Sequence, residues 1–247
     1  MAEESVARTV RRQARDELTR RIVETARTQL AMVGASGLSL RAVARELGMV
    51  SSAVYRYVPS RDELLTLLII EAYDALGAAA ERAESRVARE DVAGRFRAVC
   101  LGVRRWAIRH PHEYALIYGS PVPGYAAPEA TIGPASRVGA LLVGIMADGV
   151  RHGKRSAGRV AAGLGEDGSA LPEPVRRAIA PIRAFTPPQV PDELVVAGLM
   201  AWTYLFGAVN FELFGHRHNV VADPAALREA FFEHEISRMA ALTGITG

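Results

Sequence analysis

The 247-residue chain is 49% hydrophobic, enough for one large domain or for one small and one medium domain, each with its own core. Its single cysteine, Cys100, excludes an internal disulfide and, lying in an apolar helical stretch, reads as a buried thiol. The opening residues are polar and Arg-rich, unlike a signal peptide, and no apolar run is read as approaching bilayer length, so a cytoplasmic protein without membrane partners is expected.

Charge is distributed unevenly. Residues 1–62 hold eleven arginines against seven acidic residues, so this end carries +4 and leaves −1 for the remainder of the +3 total. Lys154 is the only lysine, and the preference for arginine is read as codon bias.

Residues 1–15, with Arg8, Arg11, Arg12 and Arg15, read either as a flexible basic arm for phosphate or minor-groove contacts or as a solvated helix extension. A first helix is expected over about 16–33, with Ile22, Val23, Ala26, Leu30 and Val33 on one stripe and Gly34 as its stop. Leu38 and Leu40 continue that small core, and Ser39 is placed as the N-cap of a second helix.

Residues 40–59, LRAVARELGMVSSAVYRYVP, have the pattern of a helix-turn-helix. Val43, Leu47, Met49 and Val54 fall on the facing sides of two short helices, and Ala44 sits where a larger side chain would push them apart. Gly48 follows the last residue of the first of these helices, where the backbone leaves by a positive φ. With Val54 turned inward, Ser51, Ser52, Tyr55 and Arg56 are left outside, where hydroxyls and a guanidinium can meet base edges or phosphates. Arg41, opening the preceding helix, is a further phosphate candidate. The segment YRYVPSRDELL then carries Ser60 as N-cap with Glu63 three residues on, a capping box that starts a fourth helix running to about residue 87.

These residues, from Ile22 to Leu68, resemble the tetracycline-repressor (TetR) family of bacterial transcription regulators. Tyr55 and Tyr57, the following Arg61 and the run Glu63, Leu64, Leu65 carry the resemblance. It implies an all-α protein with a helix-turn-helix domain over 1–62 and a helical effector-binding and dimerisation domain over 63–247. It also places Ser51, Ser52, Ala53, Tyr55 and Arg56 toward the DNA groove and Tyr57 and Arg61 near its backbone, with Ser39 and Arg41 completing the DNA-binding set.

Beyond residue 87, helices are expected over about 91–109, to 118 after the break at His110 and Pro111, and over 131–152, with a GSPVPGY loop between the last two. Residues 153–191 read as a long connection with a short helix near 175–180. The last two helices, about 192–214 and 224–242, resemble the family's dimer-forming pair. Val195, Leu199, Trp202, Phe206, Val209 and Leu213 form a stripe, while Gly198, Ala201, Gly207 and Ala208 permit close helix approach. The stretch also resembles a subgroup whose C-terminal domain is marked by tryptophan, histidine and glycine. Trp202 and Gly207 match, but Phe206 stands in place of the histidine.

Trp106, Tyr114, Tyr118, Met146, Trp202 and Phe206 are a surplus of large side chains near a proline break and loops, and are the candidate contacts for a small apolar or aromatic effector. A catalytic reading finds little support. Gly163, Gly165 and Gly168 have dinucleotide spacing but no strand before them, and His112 and His234 lack the second histidine of a zinc motif. His216 and His218 are read as helix-end residues. No enzyme, cofactor or metal is expected. The reading is a homodimeric repressor that binds a palindromic operator in double-stranded DNA and is released by a small molecule; the alternatives are a regulator answering to a protein or to no ligand, and a helical carrier or enzyme.

Overall fold

The computed structural model describes residues 2–151, 171–183, 186–188, 190–222, 224–243 and 245, with backbone alone for 2–8, 11, 150 and 151. All regular structure among them is helical: α1 (Ala2–Gly37), α2 (Leu40–Glu46), α3 (Ser51–Tyr55), α4 (Arg61–Glu84), α5 (Val92–Arg109), α6 (Pro111–Tyr118), a 3-10 turn (Glu129–Thr131), α7 (Ile132–Arg151), α8 (Glu173–Ala178), α9 (Ala180–Arg183), α10 (Asp192–Leu213) and α11 (Ala225–Leu242). The glycines at 163, 165 and 168, with Lys154, lie outside the described residues.

Two compact units are formed, one from residues 1–74 with 110–134 and the other from 75–109 with 135–247. In the first, Ile22, Val23, Ala26, Val43, Val54, Leu64 and Leu65 close a core between α1, α2, α3 and the start of α4. A bundle of about sixty residues is marginal unaided. Here it is enlarged by α6, which packs on α1, and by Leu116, Val122 and Tyr125. The GSPVPGY segment is irregular as expected, yet it is anchored, because the Tyr125 hydroxyl lies 2.9 Å from that of Thr66.

Helix α1 differs most from expectation. Its helical backbone begins at Ala2, so residues 2–15 are helical rather than an irregular arm. Gly34 does interrupt it, at φ 67° and ψ 175°, and a short turn leads on to α2.

The second unit is stapled by ion pairs. The Arg95 guanidinium, 2% exposed, reaches Glu84 at 2.6 Å and Asp148 at 2.8 Å, joining α5 to the end of α4 and to α7. Arg104, also buried, makes a two-pronged pair with Glu212 of α10 at 2.6 and 2.7 Å and lies over the Phe232 ring of α11. Gly198 is a true close-approach glycine: a Cβ there would stand 2.9 Å from Val143 of α7. At Gly207 nothing within the subunit approaches, and a Cβ would meet open space. Cys100 is buried, and burial pushes its thiol well up, away from the reactive thiolate.

One expectation needs correction. The segments 129–149 and 192–213 do reach bilayer length with mean hydropathies of 1.4 and 1.6. The apolar content of α10 has an internal use, since half of it is buried and the helix packs on α5 and α11.

Candidate nucleic-acid interface

The reading unit is built from its corner outward. Leu47 ends α2, Gly48 follows at φ 66°, the Gly48 N–H donates to the Arg45 carbonyl at 3.1 Å, and the Met49 N–H donates to that of Ala44 at 2.8 Å. This is a complete Schellman ending, and it reverses the chain in few enough residues for α3 to lie across α2. Val54, wholly buried, then sets which way α3 faces. In consequence Ser52, Tyr55 and Arg56 are exposed, Ser51 and Ala53 half-buried, and Arg41 exposed one helix earlier.

Three assignments come out with a particular geometry. Ser39 has the extended backbone of an N-cap, φ −142°, but its hydroxyl makes no capping bond. At α4 the Ser60 hydroxyl does accept from the Glu63 N–H at 3.0 Å. Tyr57 is half-buried, with the Arg15 guanidinium 5.6 Å from its ring centre and donating to the Arg56 carbonyl at 3.4 Å.

Arg61 is committed inside its own unit. Its guanidinium donates to the carbonyls of Ala35 at 2.8 Å, Leu38 at 3.3 Å and Ser36 at 3.4 Å, closing the corner between α1 and α2 that sequence reasoning had no means to see. Arg61→Ala should therefore lower stability by about 1–3 kcal/mol, the scale of charged hydrogen bonds lost at a half-buried site. Denaturant unfolding measures this. A salt titration of DNA binding should show an unchanged slope, whereas a slope lower by about one unit would mark a phosphate contact instead.

Two exposed residues were missed. Arg45 faces solvent in the last turn of α2, and Val50, 70% exposed, precedes α3. Val50 was detectable, since an apolar residue just ahead of a reading helix has no core to join.

The six effector candidates divide between the units. Tyr114 and Tyr118 belong to the first, their rings 5.2 Å apart, with Tyr73 5.9 Å from Tyr118 and donating to the Ile117 carbonyl. Burial raises all three hydroxyls, so each stays neutral and serves as a hydrogen-bonding group. In the second, the Trp202 and Phe206 rings lie 5.5 Å apart, tilted at 54°, while Trp106 and Met146 are buried. An open cleft beside Glu212, Arg217, His218, Arg228 and Phe231 involves none of the six.

A short helix carried on a Schellman corner, with hydroxyls and a guanidinium outward, in a chain that also forms a second helical unit, has the make-up of a helix-turn-helix DNA-binding regulator. The model of the bacterial regulatory proteins of the tetR family matches residues 22–68, and that of the tetracyclin repressor-like C-terminal domain matches 96–239. The chain belongs to the TetR family of transcriptional regulators. It is 40% identical over 222 residues to the HTH-type transcriptional regulator Rv1816 of Mycobacterium tuberculosis, covering 89% of this chain and 91% of that one. The crystal structure of SCO4313 superposes with a TM-score of 0.71 at 29% identity, covering 93% of this chain and 98% of the other. That of RolR with resorcinol has the same fold at a TM-score of 0.52 and 15% identity, covering 94% of each.

Proposed function

We propose that this regulator is a cytoplasmic homodimeric repressor whose two α3 helices read a palindromic operator and whose grip is released by a small apolar or aromatic ligand. The observation that carries the DNA reading is the outward set Ser52, Tyr55 and Arg56 on a helix whose rotation is fixed by Val54. Ser51, Ala53 and Arg41 stand beside it, and Val50 offers a methyl-bearing surface of the kind that meets thymine. Ser39, Tyr57 and Arg61 support this face from its edge.

The effector reading rests on two separate groups: in the first unit, buried Tyr114 and half-buried Tyr118 with neutral hydroxyls, and in the second, Trp106, Met146, Trp202 and Phe206. These chemistries suit a flat ligand with one or two polar groups. RolR, of the same fold, is crystallised with resorcinol, a compound of that kind. A coupling of about 1–3 kcal/mol between ligand and operator would weaken each by the same five- to 150-fold.

Tyr55→Ala tests the DNA reading. Operator affinity should fall by about 1–3 kcal/mol with stability intact and with binding to unrelated DNA little changed. Fluorescence anisotropy on a duplex selected from a random pool measures it, and equal loss on both DNAs would remove Tyr55 from base reading.

A further inference from the structure

The family match begins at residue 22, yet α1 begins at Ala2. Its first four turns are thus an addition to the matched reading unit. From Ser5 to Arg15 they contain four arginines and no acidic residue. The spacing of Arg8, Arg11, Arg12 and Arg15 is i, i+3, i+4 and i+7, which is one face of a helix.

Arg15 shows which way the base of that face looks. Its guanidinium donates to the Arg56 carbonyl at the end of α3 and lies over the Tyr57 ring. Arg12, one turn earlier, is exposed, as is Arg56. Farther along, Glu17 pairs with Arg20 at 2.6 Å and Glu24 with the same arginine at 3.7 Å, and Asp16 is exposed, so residues 5–16 hold four arginines against one aspartate. Arg12 and Arg15 therefore carry positive charge from the end of α3 onto the extension, and the sequence spacing of Arg8 and Arg11 continues the same helical phase at about 1.5 Å per residue.

We propose that this extension is a second DNA-contacting element, lying along the phosphate backbone beside the groove that α3 reads and adding affinity without sequence preference. The inference rests on the DNA-binding reading above. The helical backbone decides between the two ways a basic segment can meet DNA. A helix with side chains is about 10–12 Å across, and a B-form minor groove is about 6 Å wide, so the segment meets phosphates rather than base edges.

Arg12→Gln and the triple variant R8Q/R11Q/R12Q test it, since glutamine retains helix propensity close to that of arginine. Each is titrated in the full-length chain, by anisotropy across salt, against the duplex selected from a random pool and against an unrelated duplex of equal length. The expected result is an equal fold-loss on both duplexes, with the salt slope falling by about 0.9 for each arginine that meets a phosphate. Lengthening the selected duplex beyond its ends should strengthen wild-type binding and leave the triple variant unchanged. An unaltered slope, or a loss confined to the selected duplex, overturns the proposal. If Tyr55→Ala still loses selectivity in that case, the DNA reading survives and only this inference fails. A wild-type chain that binds neither duplex overturns both.

Discussion

Replacing Arg95 with methionine is expected to lower unfolding free energy by about 3–5 kcal/mol, the scale seen when one partner is removed from a buried ion cluster. The guanidinium is nearly inaccessible, bonds Glu84 and Asp148 at 2.6 and 2.8 Å, and donates to the Arg89 carbonyl at 3.2 Å. Methionine fills much of the volume but supplies no donor. Both carboxylates, which line a region that excludes most water, lose their shared cation. At about 2–4 °C per kcal/mol for a chain of this size, the melting temperature should drop by roughly 6–20 °C. Changing all three residues together, to methionine at 95 and leucine at 84 and 148, should return much of the loss, because it removes the charges as well as the pairing. A drop below about 1 kcal/mol in the single variant would show that water screens the cluster.

Arg95 also marks where sequence reasoning stopped. Codon bias accounts for the preference for arginine over lysine and says nothing of where each arginine lies. Arg95 and Arg104 lie on the buried side of α5 with Val92, Phe96, Val99 and Val103. Their phase with that stripe was present in the sequence; their partners Glu84, Asp148 and Glu212 were not, because 11, 53 and 108 residues separate them. The reading unit was legible for the opposite reason. Its constraints are local: Gly48 at positive φ, Ala44 at the crossing and Val54 inward follow from spacing alone. Arg61 lies between these cases. Its place at the start of α4 was readable, but the carbonyls it meets, Ala35, Ser36 and Leu38, become a cluster of acceptors only once Gly34 has broken α1.

The last two helices show the same division, and from it follows the other large effect. Of the stripe expected on α10, Val195, Phe206 and Val209 are buried within the unit, while Leu199, Trp202 and Leu213 are half-buried. A second stripe is largely exposed. On α10, Met200, Thr203, Gly207, Phe211 and the following Phe214 recur at helical spacing, and Phe211 is 55% exposed. On α11, Leu227, Phe231 and Leu242 are exposed likewise. Gly207, with open space where a Cβ would be, leaves room for a close approach from outside. Such a surface suits an isologous dimer, in which every substitution acts twice. Phe211→Asp with Phe231→Asp should therefore yield a monomer by light scattering, while the subunit loses only the partly exposed contacts of Phe211 with His216 and of Phe231 with Arg217. A dimer that reads two successive major grooves needs its reading helices about 34–36 Å apart, and one bound half-site then holds the other at high effective concentration. Losing that tether should weaken binding to the full operator by about 10²–10⁴-fold and leave half-site affinity unchanged. A variant that remains dimeric, or a wild-type chain already monomeric at micromolar concentration, would place the subunit contact on another face.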